Sequence, residues 1–164
     1  VFTLLKMPRS KPILPLPWAC SRMAPDNINV YTDGSCQFPL AITFALGGAG
    51  VWWPHRQLRT HRASHAETEL AVITQGSDGV RLATHIGGYA SSSTRTELAA
   101  GIVALASHGP VHLGSDSEAF VNKGLSIINR ASRGHAPHAS WSTTSDGDLW
   151  HHFEQAIVAK VLML

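Results

Sequence analysis

Three acidic residues stand where the chain changes its local structure, and their order constrains the fold more than any other feature. Asp33 closes the run Ile28-Asn29-Val30-Tyr31-Thr32 and is followed by a turn expected at Gly34-Ser35, while Asp116 closes Val111-His112-Leu113-Gly114-Ser115. Glu97 lies between them, in Thr94-Arg95-Thr96-Glu97, at the head of an apolar-periodic stretch. Runs with β-branched residues bounded by Gly or Asp read as strands, and Thr-x-x-Glu before a periodic run has the spacing of a helix capping box. Two strand ends and a helix start can meet at one point of a sheet. Converging carboxylates repel one another unless cations lie between them. An all-oxygen set of this kind suits a hard divalent ion such as Mg²⁺, and the pattern points to metal-assisted phosphoryl chemistry.

The remaining chain supplies the sheet and helices that such a meeting needs. Leu46 to Trp53 predicts a second strand whose glycines let backbones approach closely, and Pro54 ends it. Val80 to Gly87 alternates apolar and polar residues, as a half-buried strand does. Leu98, Ile102 and Leu105 share one face of the helix after Glu97, which Gly109-Pro110 stops. Ser117 to Ala131 predicts a helix with Phe120, Gly124, Ile127 and Ile128 inward. Ser145-Asp146-Gly147-Asp148 caps a last helix striped by Leu149, Trp150, Phe153 and Ile157, and Val158 to Leu164 predicts a final strand. Antiparallel early strands followed by helical crossovers give a mixed α/β sheet. Alternation puts one of Trp52 and Trp53 in the core and the other on the opposite face, under a helix.

Residues 55–79 leave two readings open: Ser64-His65-Ala66-Glu67-Thr68-Glu69-Leu70 caps a short helix, or the whole stretch is an insertion between strands. Within it Thr68-Glu69-Leu70-Ala71 repeats Thr96-Glu97-Leu98-Ala99, but no long amphipathic pattern follows, so Glu67 and Glu69 are expected on a solvated segment. Residues 1–26 carry Pro8, Pro12, Pro15, Pro17 and Pro25 and are expected to be a leader or linker, with the domain spanning 27–164. At 164 residues and 44% hydrophobic, the chain suffices for one domain with its own core. No apolar stretch reaches the roughly 18 residues of a membrane-spanning helix, and none makes a secretory h-region. An intracellular setting, nucleus or cytoplasm, is expected. A net charge of +2 permits nucleic acid without selecting it.

His55, His61, His65, His135, His138, His151 and His152 offer no His-x₃-His pair alongside a CxxC, and they read as surface residues rather than zinc ligands. Arg130, Arg133, His135, His138 and Trp141 leave two readings open: a basic, aromatic-bearing loop for a nucleic-acid strand, or a variable exposed loop.

Taken together, Tyr31-Thr32-Asp33-Gly34-Ser35, Gly47-Gly48-Ala49-Gly50-Val51, Ser93-Thr94-Arg95-Thr96-Glu97-Leu98-Ala99-Ala100 and Ser115-Asp116-Ser117 resemble type I ribonuclease H. The likeness is strongest to the domains of retroelement-like eukaryotic proteins and covers residues 28–164 in order. Asp146-Gly147-Asp148-Leu149-Trp150 is similar to the segment opening a late helix in such domains. The resemblance implies a ribonuclease H-like α/β fold, a five-stranded mixed sheet in the order 3-2-1-4-5 with the first three strands antiparallel, flanked by helices. It implies a metal-dependent endonuclease that hydrolyses the RNA strand of RNA·DNA hybrids. Asp33, Glu97 and Asp116 match the family's first three carboxylates and would hold a pair of Mg²⁺ ions, with Mn²⁺ able to substitute and Asp33 bridging. Gly34, Ser35, Ser93 and Thr94 match positions that touch the hybrid's minor groove, where 2′-hydroxyls mark RNA. The implied partners are the RNA·DNA hybrid and a reverse transcriptase or other upstream domain, with a monomeric protein and no membrane.

Some positions depart from the family pattern. Ser93 and Thr94 stand where it often has asparagines, and Glu118 where it often has glutamine. The family's Gly-His loop and fourth carboxylate follow its fifth strand; no residue here matches either, so the chain is expected to be C-terminally truncated. The alternative is therefore a catalytically impaired module that binds nucleic acid or a protein partner. Other enzymes of the same superfold fit less well. Transposases place the glutamate last, and the exonucleases need Asp-x-Glu on the first strand, where Asp33-Gly34-Ser35 stands.

Overall fold

A computed structural model of the chain describes residues 3–6, 24–38, 40, 45–86, 92–135 and 140–162. Strand β2 (Val30–Gln37) organises it. Its alternation turns Val30 and Thr32 into the core and Tyr31 and Asp33 to the opposite face. β3 (Leu46–Trp53) pairs antiparallel with β2, and β5 (Gly79–Ile86) pairs antiparallel with β3. β6 (His112–Ser115) lies parallel to β2 on its other side, after a crossover through the helix α2 (Ser93–Leu105). These four strands are contiguous in the expected order. Hairpin strand β4 (Val72–Gly76) extends one edge beyond β5, and β1 (Thr3–Lys6) extends the other beyond β6. The result is an open, mixed, six-stranded α/β sheet in the order β1-β6-β2-β3-β5-β4.

Three expectations change here. The position expected for a fifth strand from Val158–Leu164 is taken by β1, antiparallel to β6, and four residues of the expected leader thus belong to the sheet. Residues 158–162 instead continue the last helix, α4 (Gly147–Leu162). The apolar stripe of Trp150, Phe153 and Ile157 is fully buried, so packing carries helical geometry through the β-branched Val158. Residues 163 and 164 lie outside the described part. Gly34-Ser35 is not a turn but strand interior, paired with Ala49 and Gly48. Of the two readings of segment 55–79, the short helix capped by Ser64 is present as α1 (His65–Leu70), and it is followed by the strand β4, which the sequence did not indicate.

The helices bury one another as well as the sheet. Phe120 of α3 (Glu118–Ser132) reaches so close to α2 that a Cβ on Gly101 would lie 2.5 Å from its ring. Its ring also meets Trp150 and Phe153 of α4, at centroid distances of 6.3 and 5.3 Å. Trp141, which the sequence leaves in an exposed loop, is 8% exposed, stacks on Trp150, and donates its indole N–H to Glu154 at 2.8 Å. Lys123 caps both indoles. Of its loop companions, Arg133 and His135 are exposed and His138 lies outside the described residues. Trp53 is core as expected, but Trp52, at 36% exposure beside the Tyr31 ring, lines an open groove instead of lying under a helix. Among the described residues no helix is long and apolar enough to cross a membrane.

The far end of α2 is fastened by charged groups. Glu67 is fully buried rather than solvated. It accepts from Arg56 at 2.5 and 2.9 Å and closes a capping box with Ser64, whose hydroxyl donates to Ala106 O just past α2. Lys160 donates to Ser107 O and Gly109 O at 2.7 and 2.9 Å. Burial lowers its pKa from 10.5 to about 8, against the opposing pull of Glu67. A lysine with a depressed folded pKa binds fewer protons folded than unfolded between the two values, so stability rises with pH across that window. Denaturant titrations of wild type and Lys160→Met at about pH 7.5 and about pH 10 should therefore diverge, with wild type gaining relative to the variant as pH rises. Parallel pH profiles would contradict the burial of an ionised Lys160.

Candidate metal centre

Asp33, Glu97 and Asp116 each come from a different element, and the fold brings them to one point. Asp33 sits on the open face of β2, Asp116 follows the last residue of β6, and Glu97 reaches over from α2. One carboxylate oxygen from each lies within 4.8 Å of the others. Asp33 and Asp116 are exposed, while Glu97 is 7% exposed.

Glu97 reaches this point because α2 touches β2 at a residue without a side chain. A Cβ on Gly34 would lie 2.5 Å from both Glu97 N and Thr96 Oγ1. The Gly34 N–H donates to Glu97 Oε1 at 2.9 Å, and the Ser115 hydroxyl lies 3.4 Å from Oε2. The expected Thr94–Glu97 capping box does not form, since α2 begins earlier. Ser92 is its N-cap, accepting from Arg95 N at 3.0 Å, which places Glu97 in the second turn, within reach of the strand.

Electrostatics favour a cation here. Burial raises the Glu97 pKa, and the neighbouring charges of Asp116 and Asp33 raise it further, against the lowering effect of the Gly34 and Ser115 hydrogen bonds. A divalent ion between the three would remove that repulsion, and oxygen-only ligands fit Mg²⁺ or Mn²⁺ better than a softer metal. The donor set therefore fits a hard cation. Among the described residues this is the single cluster of three or more metal-ligating side chains, and no histidine joins it.

No family model and no curated protein matches this chain.

The other expected contact residues surround the acids. Gly34 and Ser35 continue β2 beyond Asp33, with Ser35 exposed, and Ser93 and Thr94 form the first turn of α2, with Ser93 exposed. Glu118 is exposed in the first turn of α3. Two supports were not anticipated. Arg95, two residues before Glu97, forks onto Asp148 at 2.8 and 2.6 Å and reaches Asp146 at 3.4 Å, while Ser92 donates to Asp146 at 3.1 Å. Arg95 holds the Asp148 carboxyl down to about 2. This clamp fixes the start of α2 to the start of α4, and only the long-range pairing of two acidic turn residues with one arginine could have disclosed it. Beside Asp33 and Asp116, a groove of about 700 Å³ runs along the sheet over Gly50, Ala83 and Gly114, walled by Tyr31, Trp52 and Arg81.

Relief of repulsion gives a direct test. Asp33→Asn should raise the metal-free melting temperature by a few degrees and abolish the stabilisation by Mg²⁺, which for wild type reaches about 2.7 kcal/mol at a hundredfold excess over the dissociation constant. Gly34→Ala should do the opposite, lowering stability and metal affinity together, because the added methyl must push α2 off β2. Thermal melts with and without Mg²⁺ read both, and a Gly34→Ala protein that melts like wild type would refute the close approach.

Proposed function

We propose that this chain is a ribonuclease H-like, metal-dependent nuclease domain that hydrolyses the RNA strand of RNA·DNA hybrids. The observation that carries the reading is the meeting of Asp33, Glu97 and Asp116 within 4.8 Å, from two adjacent parallel strands and the helix α2, which packs on the first and leads into the second. The sequence motifs around the three residues support the same family.

In this reading Asp33, on β2, Glu97, on α2, and Asp116, after β6, would hold the metal. Bound Mg²⁺ or Mn²⁺ would supply a more acidic water as nucleophile and charge neutralisation at the leaving 3′ oxygen. Glu97 contributes an oriented, largely desolvated carboxylate, which interacts more strongly with a cation than an exposed one does. The exposed hydroxyls of Ser35 and Ser93 flank the acids and can exchange hydrogen bonds with a ribose 2′-hydroxyl, the group that separates RNA from DNA. The first turn of α2 presents backbone N–H groups and the positive end of the helix dipole, which favours an approaching phosphate.

One observation favours a binding-only module instead. Among the described residues the cluster holds three carboxylates, and the acids at the start of α4, Asp146 and Asp148, are committed to Arg95. A second ion would then have fewer protein ligands.

A labelled RNA·DNA hybrid decides between them. Wild type with Mg²⁺ or Mn²⁺ should cut the RNA strand, and Glu97→Gln should slow cutting on the order of a hundredfold or more. Hybrid binding without metal-dependent cutting would select the binding module. Equal cutting by wild type and by a variant lacking all three carboxylates would overturn the nuclease proposal.

A further inference from the structure

Ser115 ends β6 one residue before Asp116 and is 1% exposed. Every residue of β6 is buried, and the Ser115 hydroxyl is directed at Glu97 of α2. Its Oγ accepts from Ser117 N–H at 3.1 Å and faces Glu97 Oε2 at 3.4 Å. A hydroxyl has one hydrogen, and a carboxylate can only accept, so with Ser117 donating to Oγ the hydrogen is directed at Glu97. The other oxygen, Oε1, is held by Gly34 N–H at 2.9 Å. Glu97 is thus gripped at both oxygens by donors on β2 and β6, the strands that position Asp33 and Asp116.

We infer that Ser115 is a positioning residue of the metal centre, acting through Glu97 by fixing the plane of its carboxylate. The inference rests on the metal-centre reading above. Each carboxylate oxygen has two lone-pair sites, so a grip that uses one on each leaves the others for a cation beside Asp33 and Asp116. The terminal torsion of a glutamate is broad and nearly two-fold, and a single anchor at Oε1 leaves the plane free to turn. At 3.4 Å the Ser115 contact is longer than a relaxed O–H···O bond, so it contributes direction more than strength. Its removal should therefore loosen metal binding while leaving the fold intact.

Two readouts separate this role from a merely structural one. Calorimetric titration with Mn²⁺ should show affinity about tenfold weaker in Ser115→Ala, the cost usual for a partner that orients a ligand, with Ser115→Thr restoring it. In the metal-free protein, the Gly34 amide proton should shift in Ser115→Ala toward its position in Glu97→Gln, and return in Ser115→Thr. Unchanged Mn²⁺ affinity in Ser115→Ala, or an unmoved Gly34 amide, overturns the inference. If wild type and Glu97→Gln alike fail to bind Mn²⁺, the metal-centre reading falls and takes the metal role of Ser115 with it. A shifted Gly34 amide would then still identify Ser115 as the residue that orients Glu97.

Discussion

The contact between Gly34 and the second turn of α2 sets the geometry on which the candidate site depends. A strand interior is an unfavourable place for glycine, which loses more backbone freedom than any other residue and packs no side chain. Here the missing Cβ lets backbone meet backbone, and the exposed N–H becomes a donor to Glu97. Any side chain at this position would move the helix away and carry Glu97 out of reach of Asp33. The local cost to the strand is offset by an interaction that no larger residue permits.

Such a contact holds only if the helix cannot slide, and both ends of α2 are fastened. At its start, Arg95 binds Asp148 and Asp146 while Ser92 also reaches Asp146, tying α2 to α4. At its end, Ser64 and Lys160 satisfy carbonyls in the segment that leaves the helix, which would otherwise be poorly hydrated. Ser64 is itself fixed by Glu67, whose buried charge is matched by the Arg56 fork. A buried ion pair of this kind adds little net stability against its desolvation cost, but removing one partner would leave an uncompensated charge inside. Its contribution is to fix the position of α1, and through Ser64 the end of α2. In between, Phe120 of α3 fills the space over Gly101 and meets Phe153 of α4, so that both helices pack against α2.

How much of this was legible in the sequence depends on the range of the interactions involved. Asp33, Glu97 and Asp116 were readable because each sits in a local strand or helix pattern, although Asp33 lies inside its strand rather than at its end and Glu97 in the second turn of its helix rather than at its start. The antiparallel order of β2, β3 and β5 and the parallel placement of β6 followed from the same patterns and from crossover rules. Glu67 was misread as solvated because its partner, Arg56, lies in an irregular segment and has no periodic relation to it. Trp141 was misread as loop surface because its environment is built by Trp150, Glu154 and Lys123 from two other helices. The end of α4 was misread as strand because Ile157-Val158 has high β propensity, which a buried helical face overrides. Thr3–Lys6 gave no warning at all: four residues among prolines carry too little pattern to reveal a pairing partner more than a hundred positions away.

The same distinction separates the acids of the site from the residues that orient them. Carboxylates announce a metal centre by type and order, but their orientation is set by donors that look ordinary in sequence. Gly34 reads as a turn residue and Ser115 as the last position of a strand, yet each takes one oxygen of Glu97. Every residue of β6 is buried, so strand phase alone does not single out Ser115; its two partners do, the Ser117 N–H and the Glu97 carboxylate. A buried hydroxyl must find partners, and one placed directly before a candidate ligand lies within reach of the ligand set. Searching the buried polar residues beside the candidate ligands thus extends a list of ligands to the groups that aim them.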